Sequence, residues 1–213
     1  DALRDAHGHF LYLRRGDERA LVSLTQHPAP DPAATYRSVF HADRVSFEAR
    51  WRDVHAQLTV WVSPEDDVEF RRVELSHDGD EALEIELVSA FEVTLAEPAA
   101  DEAHPAFGNL FVSARRHGAQ RALLFERRPR LANEPALHMA HFLAESAPEV
   151  LQLRHQVDRR RWLGRNRPTW LPRGALEDGG VADADGFETL DTGLDPVCVL
   201  GVRLRLAPGA KVR

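Results

Sequence analysis

The sequence has one cysteine, Cys198, and one lysine, Lys211, in 213 residues. A single cysteine excludes an intramolecular disulfide framework and a cysteine-based zinc site. No stretch approaches the roughly 18 apolar residues of a membrane-spanning helix, and the first residues lack the basic-then-apolar pattern of a secretory signal. Glycine-rich phosphate loops, a Gly-x-Ser-x-Gly elbow and a His-Glu-x-x-His helix are also absent, so three large enzyme classes have no support. A formal net charge of −7 and a pI near 5.9 argue against a nucleic-acid-binding surface spread over the whole domain.

What is present suits a large folded core. The chain is 43% hydrophobic and 29% charged, which excludes a mostly disordered polypeptide. The 26 arginines beside one lysine read as the codon bias of a GC-rich genome. Charge is unevenly placed: residues 64–102 hold fourteen acids against Arg71 and Arg72, net −12, whereas residues 151–173 hold seven arginines against Asp158, net +6. Partner surfaces of different sign are therefore expected. The chain opens at Asp1 without a methionine and stops at Arg213 just after an alternating pattern resumes, which reads as a piece of a longer polypeptide.

Alternation of period two recurs along most of the sequence, as strands with one buried face require, and helical periodicity is scarce. Residues 10–13 and 20–24 flank a polar turn and read as a hairpin. Val45, Phe47, Ala49 and Trp51 share one face, and Leu58, Val60 and Val62 form the next strand. Val68 and Phe70 lie on one parity but Val73 and Leu75 on the other, so a β-bulge or change of sheet is expected at Arg71-Arg72. Leu83, Ile85 and Leu87 alternate with Glu84 and Glu86, and Arg203 and Arg205 are placed outward on a C-terminal strand. Residues 136–144 fit helix or strand, and residues 174–191 read as a loop. At least nine short strands with Gly, Pro and Asp turns predict an all-β antiparallel sandwich with few or no helices.

Candidate chemistry is sparse. His7-x-His9 and His138-x-x-His141 could each begin a metal site, but a third ligand is missing, and surface or packed histidines are the simpler reading. Glu65-Asp66-Asp67 has the composition of a solvated turn after Pro64. Trp61 lies on the parity opposite its apolar neighbours; it is either a sugar-stacking platform on an open sheet face or a residue buried between two sheets. Trp162 and Trp170 bracket Arg165-Asn166-Arg167, whose planar guanidinium donors suit hydroxyls or carboxylates.

Six stretches, in order, resemble a known family. The run from Val62 to Val73, continued by Leu83-Glu84-Ile85-Glu86-Leu87, is similar to the β-super-sandwich of glycosyltransferase-36-type, or glycoside hydrolase family 94-like, proteins, and more narrowly to the cyclic β-1,2-glucan synthase family. Residues 5–14, 103–112, 127–130 and 162–167, and the closing segments 194–197 and 203–209, agree with it. The family pattern has Trp where this chain has His7, a further Trp near Val22, and Gly where it has Asn166.

The resemblance implies a galactose mutarotase-like super-sandwich spanning residues 1–213 as one domain of a larger multidomain enzyme. It also implies a barrel of (α/α)6 type downstream as docking partner, a homodimer, and a membrane-associated parent whose soluble part faces the cytoplasm of a bacterium. The expected role is noncatalytic binding or scaffolding of β-glucan, with no catalytic residue, cofactor or metal in this segment. His104, Asn109, Arg165 and Arg167 are the expected polar sugar contacts, with Trp61 and Trp162 as platforms. Two alternatives are a structural module docking on the barrel, and an aldose epimerase of the mutarotase kind, for which His104 and Glu126 are the nearest acid and base.

Overall fold

The computed structural model of the chain describes residues 8–16, 18–144, 147–179 and 186–213. In chain order the elements are β1 (His9–Arg15), β2 (Val22–Ser23), β3 (Thr35–Phe40), β4 (Val45–Trp51), β5 (Val54–Val62), β6 (Glu69–His77) and β7 (Leu83–Glu92). Two short helices follow, α1 (Pro98–Ala103) and α2 (Pro105–Asn109), and then β8 (Val112–His117), β9 (Ala122–Arg127), β10 (Leu137–Phe142) and β11 (Val150–Asp158). The last elements are α3 (Arg159–Leu163), β12 (Glu177–Asp178), β13 (Phe187–Leu190), β14 (Pro196–Leu206) and β15 (Lys211–Val212). The strands form sheets ordered β12-β11-β14-β7-β1-β2, β10-β9-β8-β13 and β15-β6-β5-β4-β3. The all-β, mostly antiparallel architecture expected from the alternation is the one observed.

Contacts gather into two compact units: the described parts of residues 1–9, 88–146 and 152–202, and those of residues 10–87, 147–151 and 203–213. In the second of these, the five-stranded sheet turns one face inward along a row of facing residues, Tyr36, Ala49, Ala56, Leu75 and Val212. Ala49, Ala56, Leu75 and Val212 are buried, as are Trp51, Val54 and Leu58 on the same face. The Trp51 indole N–H donates to Asp31 Oδ2 at 3.0 Å, so the buried ring keeps its polar end satisfied.

The expected bulge at Arg71-Arg72 is not there. β6 pairs with β5 without a break from Val54↔His77 to Val62↔Glu69. The apolar residues change parity because Phe70 turns to the outer face, where Trp61 lies opposite it in register. The two faces of β7 both carry packed groups. On the face carrying Glu84 and Glu86, Glu86 is buried and held by Arg14, and Glu84 accepts from Arg203 Nη2 at 2.8 Å. Ile85 and Glu86 are successive on β7 and both buried, so both faces of the strand are covered there and the Glu86 carboxylate needs a cationic partner. Arg203 is thus engaged rather than simply outward.

In the other unit, Val112, Ala114, Leu123 and Phe125 of the four-stranded sheet are buried together with Val93, Val157 and Cys198, and Phe91, Leu95, Met139 and Leu190 pack against this cluster. The ambiguous segment 136–144 is strand β10, paired antiparallel to β9 from Leu137↔Arg127 to Phe142↔Ala122. The segment expected as a loop, 174–191, contributes β12 and β13. Gly, Asp and Ala are poor strand formers, but Phe187–Leu190 pairs with β8, and that partner decides the conformation.

Candidate functional site

Trp61 and Phe70 face each other across β5 and β6 with ring centroids 5.1 Å apart and planes at 15°, a stacked pair. Phe70 is 42% exposed and Trp61 half-buried. The next outward row is Val39, Ser46, Thr59 and Arg72, and the one after it Arg37, Glu48, Gln57 and Glu74. Arg72 Nε lies 3.2 Å from Glu74 Oε1 and Arg37 Nη1 3.9 Å from Glu48 Oε2. A planar aromatic surface therefore borders rows of hydroxyl, guanidinium, amide and carboxylate groups on one sheet face. Phe70 was not singled out from the sequence; its parity change was the signal, and it marked an outward aromatic pair rather than a bulge.

The remaining candidates lie in the other unit. His104 is exposed at the junction of α1 and α2: its amide donates to Ala100 O at 3.2 Å, and its carbonyl accepts from the Phe107 and Gly108 amides at 3.1 Å each. Asn109 closes α2 and is half-buried. Around them Phe107 meets Phe111 edge-on at 5.3 Å, and the Arg130 guanidinium sits 5.5 Å from the Phe107 ring and 5.6 Å from that of Phe111. This cation–aromatic cluster was not legible in the sequence, because Arg130 reaches it from a separate loop.

Trp162 is not a platform. It is 3% exposed, because α3 turns Trp162 and Leu163 into the core. The helix is fixed by buried Asp158, whose side chain accepts from the Arg160 amide at 2.8 Å and the Arg161 amide at 3.3 Å. Gly164, at φ 85°, ends it. Beyond that turn Arg165 and Arg167 are exposed, and the exposed aromatic of this segment is Trp170.

Other expectations resolve as follows. His7 lies outside the described residues. His138 and His141 are on a strand, not one helical turn, so they point to opposite faces. His141 instead neighbours His9 at a centroid distance of 5.6 Å, and His9 Nε2 is 2.6 Å from Ser89 Oγ. Among the described residues no group of three or more His, Cys, Asp or Glu is placed to hold a metal ion. Glu126 is engaged by Arg115 at 2.7 Å. His155 is buried on β11 with no hydrogen-bond partner for Nδ1 among the described residues, and burial, followed by the Arg116 charge, holds its pKa below the ordinary histidine value.

Residues 1–213 match the family described as Glycosyl hydrolase 94, supersandwich domain. The chain is also similar to the cyclic beta-(1,2)-glucan synthase NdvB of Rhizobium meliloti (strain 1021), at 31% identity over 215 residues. That alignment takes in 100% of this chain and 7% of the relative, so the chain spans a small part of the protein it matches. No helix among the described residues is long and apolar enough to cross a membrane. With its sheets, its six ordered motifs and a family match over its whole length, this chain belongs to the glycosyl hydrolase 94 supersandwich-domain family.

Proposed function

We propose that this chain is a noncatalytic, carbohydrate-binding scaffold domain of a larger polypeptide similar to cyclic β-1,2-glucan synthase. Its ligand is a β-glucan oligosaccharide or polysaccharide, and its protein partner is an (α/α)6 barrel of the same polypeptide, at the cytoplasmic face of a bacterial inner membrane. The observation that carries the sugar-binding part is the Trp61–Phe70 stack bordering polar rows on one sheet face. Pyranose rings present C–H groups that pack on the electron-rich faces of aromatic rings, while Arg72 and Gln57 supply donors and acceptors for equatorial hydroxyls. The exposed imidazole of His104 and the amide of Asn109 offer a second, polar contact in the other unit.

Isothermal titration with β-1,2-glucooligosaccharides tests this. Binding by the 213-residue chain should weaken about tenfold or more in Trp61→Ala, since ~1.4 kcal/mol of lost stacking is one decade in affinity. Phe70→Ala should act in the same direction. Absence of heat with the parent chain, or affinity unchanged in both variants, would refute the platform.

A further inference from the structure

Most arginines of this chain are already engaged. Arg14 holds Glu86, Arg15 holds Asp53, Arg116 holds Glu188, Arg154 holds Asp178, Arg159 holds Glu92 and Arg161 holds Glu177. The +6 segment is therefore largely neutralised at its α3 end. Arg165, Arg167 and Arg173 are different: all three are exposed, and none has an ion pair or side-chain hydrogen bond among the described residues. They are also drawn together. A Cβ on Gly164 would lie 3.4 Å from Arg167 Cδ and 3.2 Å from Arg173 Cβ, so two of the stems flank that glycine and Arg165 follows it. The backbone is fixed there by the Arg173 amide donating to Leu163 O at 2.8 Å and the Gly174 amide to Trp162 O at 3.0 Å. In the same loop Trp170 is 46% and Leu171 58% exposed. Arginine and tryptophan around an aliphatic residue is the composition of an interface centre rather than of a sugar site.

The chain also carries the complementary surface. The β5–β6 turn exposes Glu65, Asp66 and Asp67, again with no ion pair among the described residues. Their loop is pinned by Ser63 Oγ, which accepts from the Glu65 amide at 3.3 Å and the Asp66 amide at 3.2 Å. Next to it Val62 is 63% exposed, and Val68 is exposed as well. Three unpaired carboxylates with aliphatic neighbours match three unpaired guanidinium groups with Trp170 and Leu171.

We propose that the arginine loop, residues 164–174, docks on the acidic β5–β6 turn of a second copy of this chain. Because two different patches meet, the contact is heterologous, unlike a two-fold dimer in which one patch meets itself. Arg165 and Arg167 then serve protein recognition, and the proposal does not depend on sugar binding.

The test is sedimentation velocity of the 213-residue chain at low and high salt. Association should appear at ~0.05 M salt and weaken about tenfold or more at ~0.5 M, where exposed charges are screened. Arg165→Glu with Arg167→Glu should abolish it, and so should Glu65→Lys with Asp66→Lys. All four positions are exposed, so melting temperatures should stay close to the parent's; the milder Arg165→Ala with Arg167→Ala should show a smaller loss in the same direction. The decisive experiment mixes the two charge-reversed variants. Each keeps one intact patch, and the reversed loop of one is opposite in charge to the reversed turn of the other, so a mixture should regain the association that neither variant shows alone. A chain that stays monomeric at low salt, association unaffected by either reversal, or two inert variants that remain inert when mixed would each overturn the proposal.

Discussion

Replacing Gly193 by alanine tests how α3 is held. Gly193 has φ +58°, and a Cβ there would meet Asp158 Oδ2 at 2.5 Å and Arg160 Nη2 at 3.0 Å. Two costs combine. A non-glycine residue in the left-handed region costs about 1–2 kcal/mol. Displacing the Asp158 carboxylate removes the acceptor for the Arg160 and Arg161 amides, and loss of such a cap costs about 0.5–2 kcal/mol. Together they come to about 1.5–4 kcal/mol. Gly209 is the matched control: φ is +70°, but nothing lies within 4 Å of its Cβ position, so Gly209→Ala should carry only the backbone cost. At roughly 2–4 °C per kcal/mol for a chain of this size, Gly193→Ala should lower the melting temperature by about 3–16 °C and Gly209→Ala by about 2–8 °C, with the loss at Gly193 the larger of the two. Asp158→Ala should remove most of the difference, since the displaced carboxylate is then absent and the two changes share one mechanism. Circular dichroism melts of the parent, the three single variants and the Gly193/Asp158 double variant read this directly. Equal losses at Gly193 and Gly209, or additive losses in the Gly193/Asp158 double variant, would refute the capping argument.

Two further outcomes follow from burial. Trp162→Ala should destabilise by about 3–5 kcal/mol, the usual cost of removing a large buried aromatic, measurable as a shifted urea midpoint; a loss below ~1 kcal/mol would mean the ring is not in the core. His155 sits between Arg116, Glu177 and Glu188 with its pKa lowered by burial, so below the unfolded value of about 6.5 the unfolded chain binds the proton more readily. Its stabilising contribution is full above that value and is lost as pH falls through it towards the folded pKa. His155→Leu should therefore flatten the decline in melting temperature between pH 7 and pH 5, and an unchanged slope would show that His155 does not take part.

The strand pattern was legible because period-two alternation survives wherever one face is polar. β4 and the pairing of its inward row Val45, Phe47, Ala49 and Trp51 with β5 follow from that alone. The signal failed where a strand is covered on both sides or an aromatic side chain turns outward. Glu86 on β7 sits in an alternating pattern that suggests solvent, yet the carboxylate is buried against Arg14. Phe70 breaks the parity of β6 and suggests a bulge, yet the ladder runs on and the ring stacks on Trp61. At the candidate site, Trp61 was identified from its parity, whereas Trp162 and Trp170 could not be told apart: each is a tryptophan beside arginines, and only the direction of α3 buries one and exposes the other.

By itself the sequence determined the secondary-structure class, the absence of disulfide and cysteine-zinc scaffolds, the family, and the segregation of charge. These depend on composition and local order, which folding does not alter. The tertiary structure decided which charges remain free. Arg154, Arg159 and Arg161 are neutralised by carboxylates 16 to 67 positions away in sequence, while Arg165, Arg167 and Arg173, around one glycine, have no ion-pair partner among the described residues. An ion pair is a matter of a few ångströms in space, and no count along the chain measures that distance.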